Sequence, residues 1–148
     1  MARQIQSGKQ SDECGIIVVG ADTRGAPGQW RAVVLEDATV KGVSAEGWAR
    51  AAVAAMERHG ADRLVAEVNQ GGDLVETMVR LVDPQVPFRA VHATRSKLMR
   101  AEPVAALYEQ GRVAHVRGLG ALEEQLGRMT VTGWKGKDSP DRLDALVW

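Results

Sequence analysis

Three carboxylates of this chain have surroundings that suggest chemistry: Glu67, Asp141 and Asp144. Glu67 stands near the carboxyl end of Leu64-Val65-Ala66-Glu67-Val68, a run that otherwise reads as a buried strand. An ionised carboxylate there is costly unless it is paired or bound to a metal. The plainer alternative is a strand-end glutamate leaning into solvent. Asp141 and Asp144 are three residues apart in Ser139–Trp148, which reads as a short helix capped by Ser139 with Pro140 at its first position. That spacing puts both carboxylates on one face, where they repel unless a cation lies between them. The plainer reading has Asp141 complementing the helix dipole and Asp144 on the surface. The apolar Ala145-Leu146-Val147-Trp148 that follows weakens it for Asp144. A strand carboxylate and a helix pair together offer hard oxygen ligands to Mg²⁺ or Mn²⁺. Two such ions would clamp the attacking and leaving oxygens of a phosphodiester.

The charge distribution adds a second signal. Lys plus Arg and Asp plus Glu are 19 each, for a formal net charge of +0. Within that balance, residues 89–117 hold Arg89, Arg95, Lys97, Arg100, Arg112 and Arg117 against Glu102 and Glu109. A basic segment between acidic ones is either a solvated helix face or a strip for phosphates, with Arg95, Lys97 and Arg100 the candidates for DNA contact. Neutrality overall argues against a tail-driven nucleic-acid binder.

The elements that must position these residues follow from pattern. Gly15–Gly20 reads as a buried strand, and Trp30–Val40 as its antiparallel partner across the turn Ala21–Gly28. Ser44 caps a helix whose Trp48, Ala51, Ala52, Ala55 and Met56 form one apolar face and which Gly60 ends. Arg63–Val68 is a strand, Asn69–Gly72 a turn, and Asp73 caps a helix to about Leu81. Phe88–His92 is a strand. Ser96–Gln110 is a helix in which Pro103 predicts a kink or a restart. Val113–Val116 reads as a strand, Ala121–Met129 as a helix and Trp134–Lys137 as a loop. The order predicts an α/β domain with a mixed sheet flanked by helices.

Other chemistries drop out. His59, His92 and His115 have no zinc-ligand spacing, and Cys14 is the sole cysteine, so no intramolecular disulfide exists. Phosphate-cradling GxxxxGK[ST], GxGxxG and GxSxG motifs are absent. No apolar run reaches the roughly 18 residues of a membrane helix.

Leu64-Val65-Ala66-Glu67-Val68-Asn69-Gln70-Gly71-Gly72-Asp73 resembles the acidic strand in the nuclease domain of tailed-bacteriophage large terminase subunits. Ala93–Lys97 and Arg100–Val113 resemble the helix and strand that follow it there, and Ser139–Trp148 resembles the terminal acidic helix. The resemblance spans roughly residues 11–148, leaving 1–10 as a polar amino-terminal segment. It implies a ribonuclease H-like fold and a divalent-metal-dependent endonuclease that cleaves concatemeric phage DNA during packaging. It also implies that Glu67 and Asp144 are metal ligands, that Asp141 flanks the site, and that Lys97 and Arg100 face the DNA backbone. The cofactor so implied is Mg²⁺ or Mn²⁺. The partners are double-stranded DNA, the packaging ATPase, the small terminase subunit and the portal, in the host cytoplasm and away from membrane.

The chain departs from the family pattern in two ways: the ATPase motor with which the family's chain begins is absent, and the first strand lacks its aspartate. The family's first strand carries an aspartate before the polar turn that here is Ser7–Glu13, and Met1–Gln6 contains no carboxylate. Asp12 is the nearest acid. The expectation is therefore a truncated domain whose first strand is absent or incomplete, with a poorly held second ion. Weak or no cleavage with Mg²⁺ follows, with a little restored by Mn²⁺. Two further readings stay open: a catalytically impaired remnant that only binds DNA, and another ribonuclease H-like nuclease such as a resolvase or transposase core.

Overall fold

The computed structural model describes residues 13–68, 73–130, 133–137 and 140–148. Asp12, the turn Asn69–Gly72, Ser139 and the segment where a first strand is expected lie outside the described residues. The elements run β1 (Glu13–Cys14), β2 (Ile17–Asp22), β3 (Arg31–Asp37), β4 (Val40–Lys41), α1 (Ala45–His59), β5 (Leu64–Glu67), α2 (Asp73–Val82), β6 (Phe88–Val91), α3 (Lys97–Glu109), β7 (Val113–His115), α4 (Gly120–Arg128), β8 (Met129–Thr130), β9 (Gly133–Trp134) and α5 (Asp141–Leu146).

The predicted hairpin forms. β2 and β3 pair antiparallel from Ile17 opposite Asp37 to Asp22 opposite Arg31, with a register shift between Val18 and Val19. β7 adds to β3 in parallel, giving a mixed sheet in the order β2-β3-β7. β5 and β6 form a separate parallel pair with Leu64 opposite Phe88 and Glu67 opposite Val91. β2 is not the buried strand that its β-branched run suggests: Val18 is buried, but Val19 is 43% exposed. An apolar run is covered only where both edges and both faces find neighbours, and β2 pairs with β3 alone among the described strands.

Helix α1 forms as its spacing predicts. Ser44 Oγ accepts from the Gly47 amide, and Gly60 closes the helix at φ 58°, a left-handed conformation that glycine adopts without a Cβ clash. Its Trp48, Ala49 and Val53 pack with Ala66 and Val68 around β5 and with Val75 and Val79 of α2. A smaller core gathers Val34, Leu119 and Leu122, with Ile17 and Leu146 against it. Pro103 lies inside an unbroken α3 rather than at a restart. The carbonyl deprived of a helical donor belongs to Met99, an exposed residue, where water can satisfy it. Trp134, read from sequence as loop, pairs with Met129 in the short β8–β9 ladder. Pro140 precedes α5 at its cap position instead of opening it, and the helix stops at Leu146.

Candidate active site

Helix α5 carries the acidic pair, and its six residues are too few to be stable alone. Pro140 provides no side-chain cap. Gln125 of α4 supplies one from elsewhere in the chain: its Oε1 accepts from the amides of Arg142 at 3.0 Å and Leu143 at 3.1 Å. Two of the amides that the first turn leaves orphaned are thereby satisfied. Leu143 is buried, and Arg142 reaches the other way to Asp37 of β3 at 2.7 Å and to Glu13 of β1. Burial alone would lower the Arg142 pKa, but hydrogen bonds and charge from Asp37 and Glu13 raise it. Gly15 allows α5 to lie close, since a Cβ there would collide with the Asp141 carbonyl.

So anchored, α5 holds Asp141 and Asp144 in its first turn, both buried, with Asp144 at 0% exposure. The surface alternative for Asp144 is therefore overturned. Lys97 Nζ of α3 lies 2.6 Å from Asp144 Oδ2. The approach satisfies the distance of an ion pair but not hydrogen-bond geometry, and neither Asp144 oxygen has a hydrogen-bond partner among the described residues. Glu67 ends β5 with its side chain 12% exposed. Its Oε2 accepts from Arg100 Nη1 at 3.2 Å and from the Trp148 indole at 3.0 Å. The Arg100 guanidinium also stands 4.8 Å from the centre of the Trp148 ring.

Two elements therefore link the carboxylates. Helix α3 presents Lys97 to Asp144 and, one turn later, Arg100 to Glu67. The α5 segment contains Asp144 and, one turn later, Trp148 against Glu67. Ser96 caps α3, and Tyr108 near its end meets His115 of β7 at 2.5 Å. Burial, helped by the charge of Glu123, pushes the Tyr108 hydroxyl up to about 12, so it stays protonated at neutral pH. Lys97 and Arg100 are thus turned onto the carboxylates, whereas Arg95, just before α3, is exposed. Among the described residues no three carboxylate, histidine or cysteine groups cluster closely enough to hold a metal. Sequence reading missed Gln125, Arg142 and Trp148. The aromatic Trp148 at the end of an acidic helix is the only one of these with a local signal.

A family model, the terminase RNaseH-like domain, matches residues 5–148. The chain belongs to that family. The large terminase nuclease of thermophilic phage G20c, solved with bound cobalt, is similar over 90% of this chain and 79% of its own, at 18% identity and a TM-score of 0.61. A second structure of that nuclease aligns over 90% of this chain and 80% of its own, at 17% identity and a TM-score of 0.57. These likenesses confirm the ribonuclease H-like fold. No curated protein matches the chain by sequence. The family match sets aside the resolvase and transposase readings. No helix among the described residues is long and apolar enough to cross a membrane.

Proposed function

We propose that this domain is the nuclease part of a phage DNA-packaging terminase, acting on double-stranded DNA in the host cytoplasm. The observation that carries this is Asp144: a fully buried carboxylate that, among the described residues, has the Lys97 ion pair but no hydrogen bond, connected through α3 and α5 to a second carboxylate. A structural aspartate in that position would be hydrogen-bonded. An aspartate awaiting a hard cation need not be. Glu67 and Asp144 are the ligands for Mg²⁺ or Mn²⁺, with Asp141 beside them. Bound there, the ion would activate water and stabilise charge on the scissile phosphate.

The chain's own residues do the rest. Gln125 and Arg142 hold α5 so that Asp144 does not retreat. Lys97 and Arg100 neutralise the carboxylates in the absence of a cation. With a cation held by Asp144 and Glu67, Lys97 and Arg100 would be free to face phosphate oxygens, and Arg95 would extend that basic strip. The packaging ATPase, the small subunit and the portal are the partners this role entails.

The shortage of a third ligand among the described residues favours one second reading, a DNA-binding module of low cleavage activity. Incubating the 148-residue chain with plasmid DNA and Mg²⁺, Mn²⁺ or EDTA separates the two. The expected result is slow cutting, faster with Mn²⁺, and lost in Glu67→Ala and Asp144→Ala. Cutting unaffected by both substitutions contradicts the site; salt-sensitive binding without any cutting supports the module.

A further inference from the structure

Among the described residues, both hydrogen bonds to the Glu67 carboxylate converge on one oxygen. Arg100 Nη1 donates to Oε2 at 3.2 Å, and the Trp148 indole N–H donates to the same atom at 3.0 Å. Oε1 accepts none among the described residues.

The two donors are held there differently. Arg100 is a guanidinium whose side chain is 11% exposed, and its Nε is buried with no hydrogen-bond partner among the described residues. A charged donor that is buried and unsatisfied costs free energy for as long as it stays. Trp148 is neutral, and the one polar hydrogen of its ring is used on Glu67. A divalent cation beside Glu67 repels the guanidinium and does not repel the indole, because only the first carries a net charge.

Position along the chain adds a second argument. Trp148 follows Asp144 by four residues, one turn further along the segment that begins as α5. The donor that fixes one carboxylate therefore belongs to the segment that carries the other. Gln125 and Arg142 anchor the start of that segment, so Glu67 is tied to the same scaffold as Asp144.

We propose that Trp148 is a positioning residue for a divalent cation: its indole N–H keeps Glu67 Oε2 when Arg100 leaves, and Oε1 is the oxygen left for the ion. This rests on the reading of Glu67 and Asp144 as metal ligands. Carboxylates that bind a metal are themselves oriented by hydrogen bonds from surrounding residues, and removing such a partner lowers metal affinity about 10- to 100-fold. Arg100 acts on the same oxygen with the opposite sign, because its charge competes with the cation.

The test is calorimetric titration of Mn²⁺ into the full chain, Trp148→Phe, Arg100→Met and the double variant. Trp148→Phe keeps an aromatic ring beside Arg100 and removes the N–H. Affinity should fall about tenfold in Trp148→Phe and rise in Arg100→Met. The loss should persist in the double variant, where no guanidinium remains for the ring to restrain. A loss that vanishes there means that Trp148 acts only by restraining Arg100, and overturns the proposal. Equal affinity in Trp148→Phe and the unmodified chain overturns it as well, while leaving the metal site standing. No Mn²⁺ binding to the unmodified chain overturns the metal reading and the proposal together. Hydrogen exchange of the Trp148 indole, followed by NMR and assigned by its absence in Trp148→Phe, gives a readout that packing alone does not move. It should be slow in the unmodified chain, stay slow when Mg²⁺ saturates the site, and become fast in Glu67→Ala. Exchange as fast with Mg²⁺ as in Glu67→Ala would show the indole leaving with the guanidinium, against the proposal.

Discussion

Arg142 and Asp144 are two residues apart on α5, so they point to nearly opposite sides of the helix. Their charge clusters differ in kind. On one side Arg142 joins α5 to β1 and β3 through Glu13 and Asp37, and both partners accept its hydrogens. On the other, Asp144 is wholly buried and, among the described residues, lacks hydrogen bonds and leans on one lysine, Lys97, that is 43% exposed. Ion pairing thus serves two ends. The satisfied cluster holds the helix in place. The unsatisfied one keeps a charge desolvated and available, at a cost that the first cluster and the Gln125 cap offset. Strained or unsatisfied groups are tolerated where function needs them and the surroundings over-determine the fold.

The largest effect is expected at the anchored side of α5. Arg142→Ala leaves Asp37 and Glu13 facing each other in a partly buried site, and should destabilise the fold by about 3 kcal/mol in urea unfolding. A loss below about 0.5 kcal/mol, the range of ordinary surface changes, would show that the cluster anchors nothing. Gln125→Ala removes a cap and should cost about 1 kcal/mol. DNA cleavage should fall more than stability suggests, because Asp144 loses its fixed position; Gln125→Glu, which keeps an acceptor, should restore most of it. Equal loss of activity in both variants would detach the cap from the site.

The smallest effect concerns a third cluster, remote from α5. Glu36 accepts from Arg58 at 2.8 Å and meets His59 at 2.9 Å. Burial alone would raise its pKa, but the hydrogen bonds and charges of Arg58 and His59 outweigh it and hold the pKa below the ordinary 4.5. A carboxylate depressed in the folded state stabilises fully above its unfolded pKa. That contribution is lost as the pH falls from about 4.5 through the lower folded value. Glu36→Gln should therefore lower stability at neutral pH slightly and flatten this part of the acid limb in pH-dependent thermal melts. An unchanged limb would remove the pair from the stability account.

Much of the scaffold was legible because its signals are local. Ser44, the apolar spacing of Trp48 to Met56, and Gly60 lie within one helix and specify it. Glu67 and Asp144 stood out because a charge was embedded in an apolar run. What could not be read is set by distance along the chain. Gln125 caps a helix 17 residues away, and Arg142 meets Asp37 across 105 residues and Glu13 across 129. No periodicity contains such contacts. The orientation of Lys97 and Arg100 was equally hidden, since the spacing that suits phosphates also suits two carboxylates. The partial exposure of β2 escaped for a related reason: an apolar run reports what a strand could bury, not how much of it its neighbours cover.

In the proposed site, Asp144 and Glu67 would hold a divalent cation in place of Lys97 and Arg100. Calorimetric titration of Mn²⁺ into the 148-residue chain and into Asp144→Asn, Glu67→Gln and Lys97→Ala tests it most directly. Saturable binding to the unmodified chain is expected, with loss of that binding in Asp144→Asn and Glu67→Gln and tighter binding in Lys97→Ala, where no ammonium competes for the Asp144 oxygens. Asp144→Asn should at the same time unfold no more easily than the unmodified chain, because it removes a fully desolvated charge whose ion-pair partner, Lys97, is 43% exposed and can turn to solvent. Equal Mn²⁺ affinity in the unmodified chain and Asp144→Asn would contradict the account.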